Sequence, residues 1–281
     1  MTTFSDLSGL TALYPELSGT LHHRLTGHPM FELDALIALA ARMRPVDVEY
    51  NRGNLPVGVD SKANIQNGLN IADTIRGIEE NGSWMVLKFI EKDAEYRALL
   101  NATLNELMPV VGDVTGEMLK REGFIFISSP NAVTPFHFDP EHNILMQLRG
   151  TKSITVFPAD DERIVAGIEH ERFHMGGHRN LPWREEIATR GRVFDLVAGD
   201  AIYVPVKAPH WVQNGPGVSI SFSATWRSEW SYMEADARGM NSMLRRLGLP
   251  AAAPKRFPNR NLAKSVGYRA IRKIRGIFAK A

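Results

Sequence analysis

The chain has 281 residues, of which 44% are hydrophobic and 23% charged, as is typical of a globular protein that buries a core. No apolar run is long enough to cross a bilayer, and the first residues lack the basic start and apolar stretch of a signal peptide, so we expect a cytoplasmic protein. The absence of cysteine excludes disulfides, iron–sulfur clusters and cysteine-ligated zinc. Any metal must be bound by histidine and carboxylate.

Residues 1–115 predict a mostly helical region that wraps a core. Apolar residues recur at helical spacing over residues 31–43 and again over residues 93–111. Between these two segments, residues 51–68 are rich in glycine, asparagine and proline, which is typical of a loop.

Residues 116–227 predict a barrel or sandwich of short strands. The β-rich runs are FIFIS, NILMQL, SITVFP, VFDLV, AIYVPV and VSISFSATW. Several brief strands separated by turn residues are typical of a jelly roll. A longer insert, at about 159–192, interrupts the strands. We therefore expect a mainly β fold with flanking helices.

Residues 228–281 predict a basic, helical C-terminal region. No acidic residue follows Asp236, so residues 237–281 carry twelve positive charges although the whole chain has a formal net charge of only +2. Such a split indicates that the tail docks on the acidic body, on a partner protomer or on an anionic surface.

An HxD pair, His137 and Asp139, follows a predicted strand. Side chains two residues apart on an extended chain face the same side, so both can reach one metal ion. A second histidine would complete the facial triad of two histidines and one carboxylate that leaves three positions of iron open. His210, which follows the turn and strand GDAIYVPV, is the candidate.

The order of these motifs resembles the JmjC and cupin-like oxygenases that depend on Fe(II) and 2-oxoglutarate. The resemblance covers about residues 123–226 and consists of NAVTPFHFD, QLRGTKSITVFP, GDAIYVPVKAPHW and SISFSATW in this order. Its pattern is most similar to the subgroup of the asparaginyl hydroxylase that acts on hypoxia-inducible factor. The chain has Ala208-Pro209 where many JmjC proteins carry an aromatic pair, so substrate preferences are not carried over.

The resemblance implies a set of site residues and cofactors. His137, Asp139 and His210 would bind Fe(II), with O2 as co-substrate. Lys152 and Thr134 would bind the distal carboxylate of 2-oxoglutarate, and residues that match cofactor-pocket positions are Asn143 and Trp226. A lysine in the apolar strand SITVFP needs such a counter-charge, because an unpaired buried charge is costly. The fold implied is a double-stranded β-helix.

The implied reaction is hydroxylation, or demethylation, of a peptide or protein side chain or of a small metabolite, with release of succinate and CO2. Two alternatives from other classes stay open. One is a cupin-like binding or regulatory module that does not turn over. The other is a zinc hydrolase that uses HERFH, residues 170–174, which formally matches the HExxH zinc motif.

The zinc motif is weak, because position 180 is asparagine where the extended form needs a histidine, and two glycines follow at once. We predict a loop near the barrel mouth instead. The histidines at positions 22, 23, 28 and 142 are expected to be exposed.

The tail predicts an amphipathic helix over residues 261–281, with Ile271, Ile274 and Phe278 along one face. We expect this apolar side to pack on the body or on a second protomer, and the resemblance supports a homodimer through C-terminal helices. Contact with nucleic acid or an anionic membrane is the less favoured alternative.

Overall fold

The computed structural model describes residues 2–53, 56–58 and 67–278, with side chains up to Ile274. In these residues the strands are β1 (Phe4–Asp6), β2 (Gly19–His23), β3 (Val48–Arg52), β4 (Ser83–Lys88), β5 (Leu119–Ser128), β6 (Val133–His137), β7 (His142–Arg149), β8 (Lys152–Val156), β9 (Arg192–Leu196), β10 (Asp200–Val204), β11 (His210–Asn214) and β12 (Ser219–Arg227). The α-helices are α1 (Ser8–Leu13), α2 (Leu33–Arg42), α3 (Ile71–Arg76), α4 (Ala94–Thr115), α5 (Gly167–His174), α6 (Glu229–Arg246) and α7 (Leu262–Phe278).

The described strands form two antiparallel sheets that face each other. The large sheet has the order β1-β2-β10-β7-β12-β5-β4-β3, and the small sheet has the order β6-β11-β8-β9. Strands β5 to β8 alternate between the large and the small sheet, and β9 to β12 alternate again, as strands do in a jelly roll. The predicted double-stranded β-helix with flanking helices is therefore confirmed.

The first 115 residues contain the predicted helices but are not only helical. The two helical segments appear as α2 and α4, and α4 begins at an N-cap, Asp93, whose side chain accepts from the backbone N–H groups of Glu95 and Tyr96. However, β1 to β4 also come from this region and extend the large sheet at both edges. Short strands near helices lack the long alternating pattern that would have identified them. Most of the predicted loop at 51–68 lies outside the described residues.

Three groups of buried apolar side chains hold the layers together. The largest fills the space between the outer face of the large sheet and the helices of the first region, and includes Leu36, Leu100, Ile125, Phe222 and Trp226. A second lies between the two sheets, and a third packs β6 against the insert through Phe136, Phe138 and Phe157. The small sheet, which includes β6 and β11, thus lies between two packed apolar groups.

Ion pairs attach the C-terminal region to the acidic body. Arg256 pairs with Glu16 at 2.8 Å and Arg245 with Glu171 at 2.9 Å, each measured from Nε to a carboxylate oxygen. Within the C-terminal region, Nε of Arg269 on α7 pairs with Asp236 of α6 at 2.5 Å. This arrangement corresponds to the first of the three predicted explanations of the charge split.

Helix α7 contacts α6 through polar groups, and part of its apolar surface is exposed. Ser265 is buried and donates to Asp236 of α6, whereas Leu262, Val266 and Ile274 are 59%, 58% and 54% exposed. Of the residues on the predicted apolar face, Ile274 is therefore not packed on the body, whereas Ile271 is half-buried. The side chain of Phe278 lies outside the described part. No described helix is long and apolar enough to span a membrane.

We predict that Gly150→Ala destabilises the fold much more than Gly27→Ala. Both glycines have φ of +70°, which disfavours alanine, but a Cβ at Gly150 would lie 2.2 Å from the carbonyl oxygen of Val218, whereas a Cβ at Gly27 would meet nothing within 4 Å. The strain alone costs on the order of 1 kcal/mol, and the backbone clash in the β7–β8 turn adds roughly 2 kcal/mol or more. Thermal unfolding of the two variants measures the difference, and equal midpoints would contradict the prediction.

Candidate metal centre and cofactor cavity

The three predicted metal ligands meet at one end of the small sheet. Strands β6 and β11 are antiparallel neighbours, and their register sets His137 directly opposite His210. Asp139 follows β6 by two residues, and its Oδ2 lies 3.7 Å from Nε2 of His137 and 3.8 Å from Nε2 of His210. One nitrogen or oxygen from each residue lies within 4.8 Å of the others. Among the described residues this is the cluster that could hold a metal ion.

Backbone carbonyls orient both imidazole rings. Nδ1 of His137 donates to the carbonyl oxygen of Pro135 at 2.7 Å, and Nδ1 of His210 donates to that of Ala208 at 2.9 Å. A hydrogen bond at Nδ1 leaves Nε2 with its lone pair toward the centre, which is how proteins commonly prepare histidine ligands. In both cases the accepting carbonyl belongs to the residue two positions before the histidine.

The charge states suit metal binding. Burial and the neighbouring His210 lower the pKa of His137 to about 3, and burial also lowers the pKa of His210, so both rings are neutral at pH 7. Burial opposes ionisation of Asp139, but His137 and Arg179 outweigh it and lower the pKa of this carboxyl group. The centre therefore offers two neutral nitrogens and one carboxylate, without proton competition.

Arg179 is a site residue that the sequence did not indicate. Its Nη1 lies 3.2 Å from Oδ1 of Asp139, so one carboxylate oxygen is held by the guanidinium while Oδ2 faces the histidines. The insert brings it there because Asn180 bridges to His137 and the N–H of Leu181 donates to the carbonyl of Phe136. Nothing in the spacing of the insert signalled this pairing.

A cavity of about 700 Å³ extends from the ligands between the two sheets. The small sheet contributes Thr134, Lys152, Ile154 and Val212, and the large sheet contributes Trp84, Phe126, Asn143, Leu145 and Ser223. Apolar walls with a few polar groups are typical of small-molecule sites.

Lys152 lies on the cavity wall and is 6% exposed. It begins β8, which lies between β11 and β9 in the small sheet, so it is not on an edge strand. No hydrogen bond or ion pair found within the described residues involves its ammonium group. Burial alone lowers its pKa to about 7. A buried ammonium with no partner in the described part of the chain is poised for an anion that enters the cavity.

A β-bulge brings Thr134 to the same wall. Strand alternation would place Thr134 and His137, three residues apart, on opposite faces. The pairing of β6 with β11 shifts by one residue between Thr134–Val212 and His137–His210, so both side chains line the cavity. Asn143 also lines it, and its Oδ1 accepts from the hydroxyl of Ser223 at 2.7 Å.

The predicted cofactor contact of Trp226 is wrong. On β12, Ser223 and Thr225 face the cavity, whereas Phe222 and Trp226 belong to the core on the other side of the sheet. Because successive residues of a strand point to opposite faces, Trp226 cannot join its neighbours in the cavity. It is fully buried beneath the ring of His142.

Two histidines expected to be exposed are buried. His142 lies on the core side of β7, where Nδ1 contacts the hydroxyl of Tyr203 and Nε2 that of Ser228, both at 2.9 Å. His23 donates from Nε2 to the carbonyl of Gln147 at 2.9 Å. These histidines are buried because the fold brings them next to hydrogen-bond partners that lie far away in the sequence. His22 is exposed, as predicted, and His28 is half-buried.

The HERFH segment forms the helix α5 rather than the predicted loop. His170 is buried and stacks on Phe138 with ring centroids 4.8 Å apart, and Glu171 is buried in its ion pair with Arg245. Its glutamate is therefore held away from any role as a base at a metal. Within the described residues this segment is not part of a metal-binding cluster.

A jelly roll with a His-Asp-His cluster that could hold a metal ion is typical of one class of protein, the cupin-like proteins. The profile of the cupin-like domain family matches residues 70–232, more than half of the chain, and the chain belongs to this family. The predicted JmjC and cupin-like membership is thereby confirmed, while the asparaginyl hydroxylase subgroup stays a prediction.

Individual relatives agree with the family. The chain is 27% identical over 107 residues to Jumonji C domain-containing protein 5 of Drosophila melanogaster, a match that covers 34% of this chain and about a quarter of that relative. Its fold is similar to E. coli YcfD, with a TM-score of 0.52 and 14% identity over 96% of this chain and 68% of that one. A second structure of YcfD, titled a ribosomal oxygenase in complex with cobalt and 2-oxoglutarate, matches with a TM-score of 0.52, 13% identity, and 96% and 67% coverage.

We predict that Asp139→Ala and His137→Ala lose metal binding, whereas His174→Gln retains one metal ion per chain. Each alanine variant removes one of three ligands, so the loss should exceed the roughly 10- to 100-fold that is typical of outer-shell changes. Elemental analysis after loading with Fe(II) or Mn(II), with circular dichroism as the check of folding, measures the outcome. A fully loaded Asp139→Ala protein would show that the metal binds elsewhere.

Proposed function

We propose that this protein is an Fe(II)- and 2-oxoglutarate-dependent oxygenase that hydroxylates, or demethylates, a C–H bond of its substrate. The observation that carries the proposal is the pair of sites in one cavity: a facial triad at one end and, deeper in, the buried Lys152, which has no hydrogen-bond or ion-pair partner among the described residues. A metal-binding module without turnover has no need of the second site.

The donor set fits iron. His137 and His210 present neutral nitrogens and Asp139 presents one carboxylate oxygen, which together match the two-histidine, one-carboxylate triad of non-haem Fe(II) oxygenases. Arg179 holds the other oxygen of Asp139, which favours single-oxygen ligation. The backbone bonds to both rings keep the donors in place before a metal binds.

The far wall of the cavity fits a dicarboxylate. The keto acid end of 2-oxoglutarate would bind at the metal, and Lys152 and Thr134 would bind its distal carboxylate. The aliphatic wall of Leu145, Ile154 and Val212 excludes water from the space between the two ends. Ion pairing is stronger in such a dry site than in water.

When bound, Fe(II) with 2-oxoglutarate and O2 supplies the oxidising chemistry, which releases succinate and CO2 and leaves one oxygen atom in the substrate. The residues of this chain orient the cofactor and aim the reactive centre at one C–H bond. If that carbon is an N-methyl group, loss of the hydroxylated carbon gives demethylation.

The substrate would enter through the polar part of the cavity. Ion pairs flank this part, Glu49 with Lys88 at 3.2 Å and Glu122 with Lys120 at 3.1 Å. A peptide or protein side chain is the preferred substrate class, because charged groups at a mouth suit polar chain segments and a matched structure is titled a ribosomal oxygenase. A small metabolite is the second class.

The remaining organisation is proposed on the same basis. Residues 1–115 would wrap and extend the catalytic barrel of residues 116–227, and residues 228–281 would form a basic helical cap. The exposed apolar residues of α7 are available for the homodimer that we predicted, and contact with nucleic acid or a membrane is less favoured. A cytoplasmic location stays a prediction.

The test of the proposed activity is succinate formation from 2-oxoglutarate with Fe(II) and O2, measured with and without candidate peptides. Succinate made by the unaltered protein but not by Asp139→Ala supports the oxygenase. Tight metal binding without any succinate, across peptide and metabolite panels, would support the binding module instead.

We predict that Lys152→Ala lowers 2-oxoglutarate affinity by at least two orders of magnitude. Removing one partner of a buried ion pair costs on the order of 3–5 kcal/mol. A loss of about 1.4 kcal/mol in binding free energy lowers the affinity tenfold. Metal binding should be nearly unchanged, since Lys152 is not a ligand. Lys152→Arg should be intermediate at best, because guanidinium is bulkier than ammonium. Titration of 2-oxoglutarate into Mn(II)-loaded protein measures the effect.

The matched control is Lys120→Ala, which removes a lysine that lines the same cavity but pairs with Glu122. It should leave 2-oxoglutarate affinity unchanged. If Lys152→Ala and Lys120→Ala bind the cofactor equally well, the cofactor assignment has to be abandoned.

We also predict that 2-oxoglutarate affinity falls as the pH rises above 7. The pKa of Lys152 is about 7 in the cofactor-free protein, and only the ammonium form attracts the carboxylate. Affinity should therefore fall roughly tenfold per pH unit above the pKa. Because the folded protein binds fewer protons than the unfolded chain between pH 7 and about 10.4, Lys152 also makes the free energy of unfolding rise across that interval.

Dissociation constants of the Mn(II)-loaded protein at about pH 6.5 and about pH 8.5 check this dependence. Lys152→Arg is the control, since guanidinium stays charged and its weaker binding should not vary with pH. Equal constants for the unaltered protein at both pH values would contradict the prediction.

A further inference from the structure

Lys207 has an unusual backbone conformation beside the metal centre. It lies in the turn between β10 and β11, three residues before His210, and its φ of 60° places it in the left-handed region. Glycine is the residue favoured there, and side chains in this conformation persist when the surrounding structure holds them. The contacts of Lys207 explain what holds it.

The main chain of Lys207 joins the two segments that carry the ligands. Its N–H donates to the carbonyl oxygen of Asp139 at 2.8 Å. The turn that leads into His210 is therefore tied directly to the residue that supplies the carboxylate. A change in this turn would move Asp139 and His210 relative to each other.

The side chain of Lys207 reinforces the same connection. It is 1% exposed, and its ammonium lies 5.4 Å from the ring centroid of Phe138, the residue between His137 and Asp139. Phe138 is fully buried and also stacks on His170 of α5. The segment that carries His137 and Asp139 is thus packed through the ring of Phe138, which contacts the ammonium group of Lys207 and the ring of His170 on α5.

Helix α6 supplies the counter-charge. Glu234 is 1% exposed, and its Oε2 lies 3.4 Å from Nζ of Lys207, while its Oε1 accepts from Nε of Arg238 at 2.9 Å. Burial would raise the pKa of Glu234, but Lys207 and Arg238 outweigh it and hold the pKa well below its usual range. The carboxylate is therefore charged and shared between the turn and its own helix.

We propose that Lys207 and Glu234 are positioning residues, which hold the Phe138–Asp139 main chain against the turn before His210 and so keep the ligands at binding distance before a metal arrives. The inference rests on the proposed metal centre. It also gives a role to α5 and α6, which the proposed reaction does not otherwise use.

General stability is a poor explanation for this pair. Replacing a buried ion pair by neutral residues of similar volume is often neutral or stabilising, because the desolvation cost is large. A buried pair that also requires a left-handed lysine adds conformational strain to this cost. A contribution to the geometry of the site accounts for both features.

The experiment compares Mn(II) affinity with apo-protein stability in two single variants. Lys207→Gly keeps the left-handed turn and the N–H that donates to Asp139, removes only the side chain, and leaves Glu234 paired with Arg238. Glu234→Gln keeps the volume and removes the charge. Both variants should bind Mn(II) about 10- to 100-fold more weakly, as is typical of outer-shell changes, and should remain folded by circular dichroism.

Asp47→Asn is the matched control. Its carboxylate is 4% exposed and pairs with Arg44 at 2.8 Å and Lys92 at 2.9 Å, but it does not line the cavity. It should lower the apo unfolding temperature and leave Mn(II) affinity unchanged. The double variant K207G/E234Q removes both charges of the pair. Its Mn(II) affinity is measured instead if Glu234→Gln alone does not fold.

Mn(II) affinity within twofold of the unaltered protein in Lys207→Gly, or in the folded glutamate variant, overturns the inference. An equal loss in Asp47→Asn also overturns it, because the effect would then be general destabilisation. The variant Asp139→Ala distinguishes failure of the metal centre from failure of the positioning roles. If this variant binds Mn(II) as tightly as the unaltered protein, the metal centre itself is wrong, whereas its loss alongside unchanged positioning variants rejects only the roles of Lys207 and Glu234.

Discussion

The antiparallel register of β6 and β11 is the constraint on which the site depends. It sets His137 opposite His210 and, through the bulge before His137, brings Thr134 to the same face. A slip of one residue would turn every side chain of a strand to the other face, so the ligands would disperse into the packed layers. The apolar residues that alternate with the ligands, Phe136 and Phe138, fix this register because they must be buried on the insert side.

Near β6 and β11 the fold buries several charged side chains. Lys152, Lys207, Glu234 and Asp139 are all buried or nearly so, and each faces an opposite charge or a cavity that can receive one. Such groups cost free energy to bury and are rarely kept for stability. Their concentration around β6, β8, β11 and α6 makes this region the candidate functional part of the jelly roll, distinct from the larger apolar core on the other side of the large sheet.

The first and last regions of the chain complete the barrel rather than simply flank it. Strands β1 and β2 extend the large sheet at one edge, and β3 and β4 at the other, where Asn51 and Trp84 widen the cavity wall. The C-terminal region covers α5 through the Arg245–Glu171 ion pair and reaches the N-terminal region through Arg256 and Glu16. The excess of basic residues in the tail is thus partly compensated by the acidic body.

Patterns along the sequence predicted most of the strands from β5 onward, though not β11, which begins at His210, and they predicted the helices α2 and α4 and the candidates His137, Asp139, His210 and Lys152. These features depend on local periodicity, on spacing two residues apart, and on a lysine in an apolar strand, all of which are visible along the chain. The three-dimensional packing was needed to show that Trp226 faces the core, that His142 and His23 are buried, that HERFH is a packed helix, and that Arg179 and Lys207 contact Asp139. Those outcomes depend on strand faces, bulges and contacts between residues far apart in sequence, and no local pattern encodes which of two faces the rest of the chain will cover.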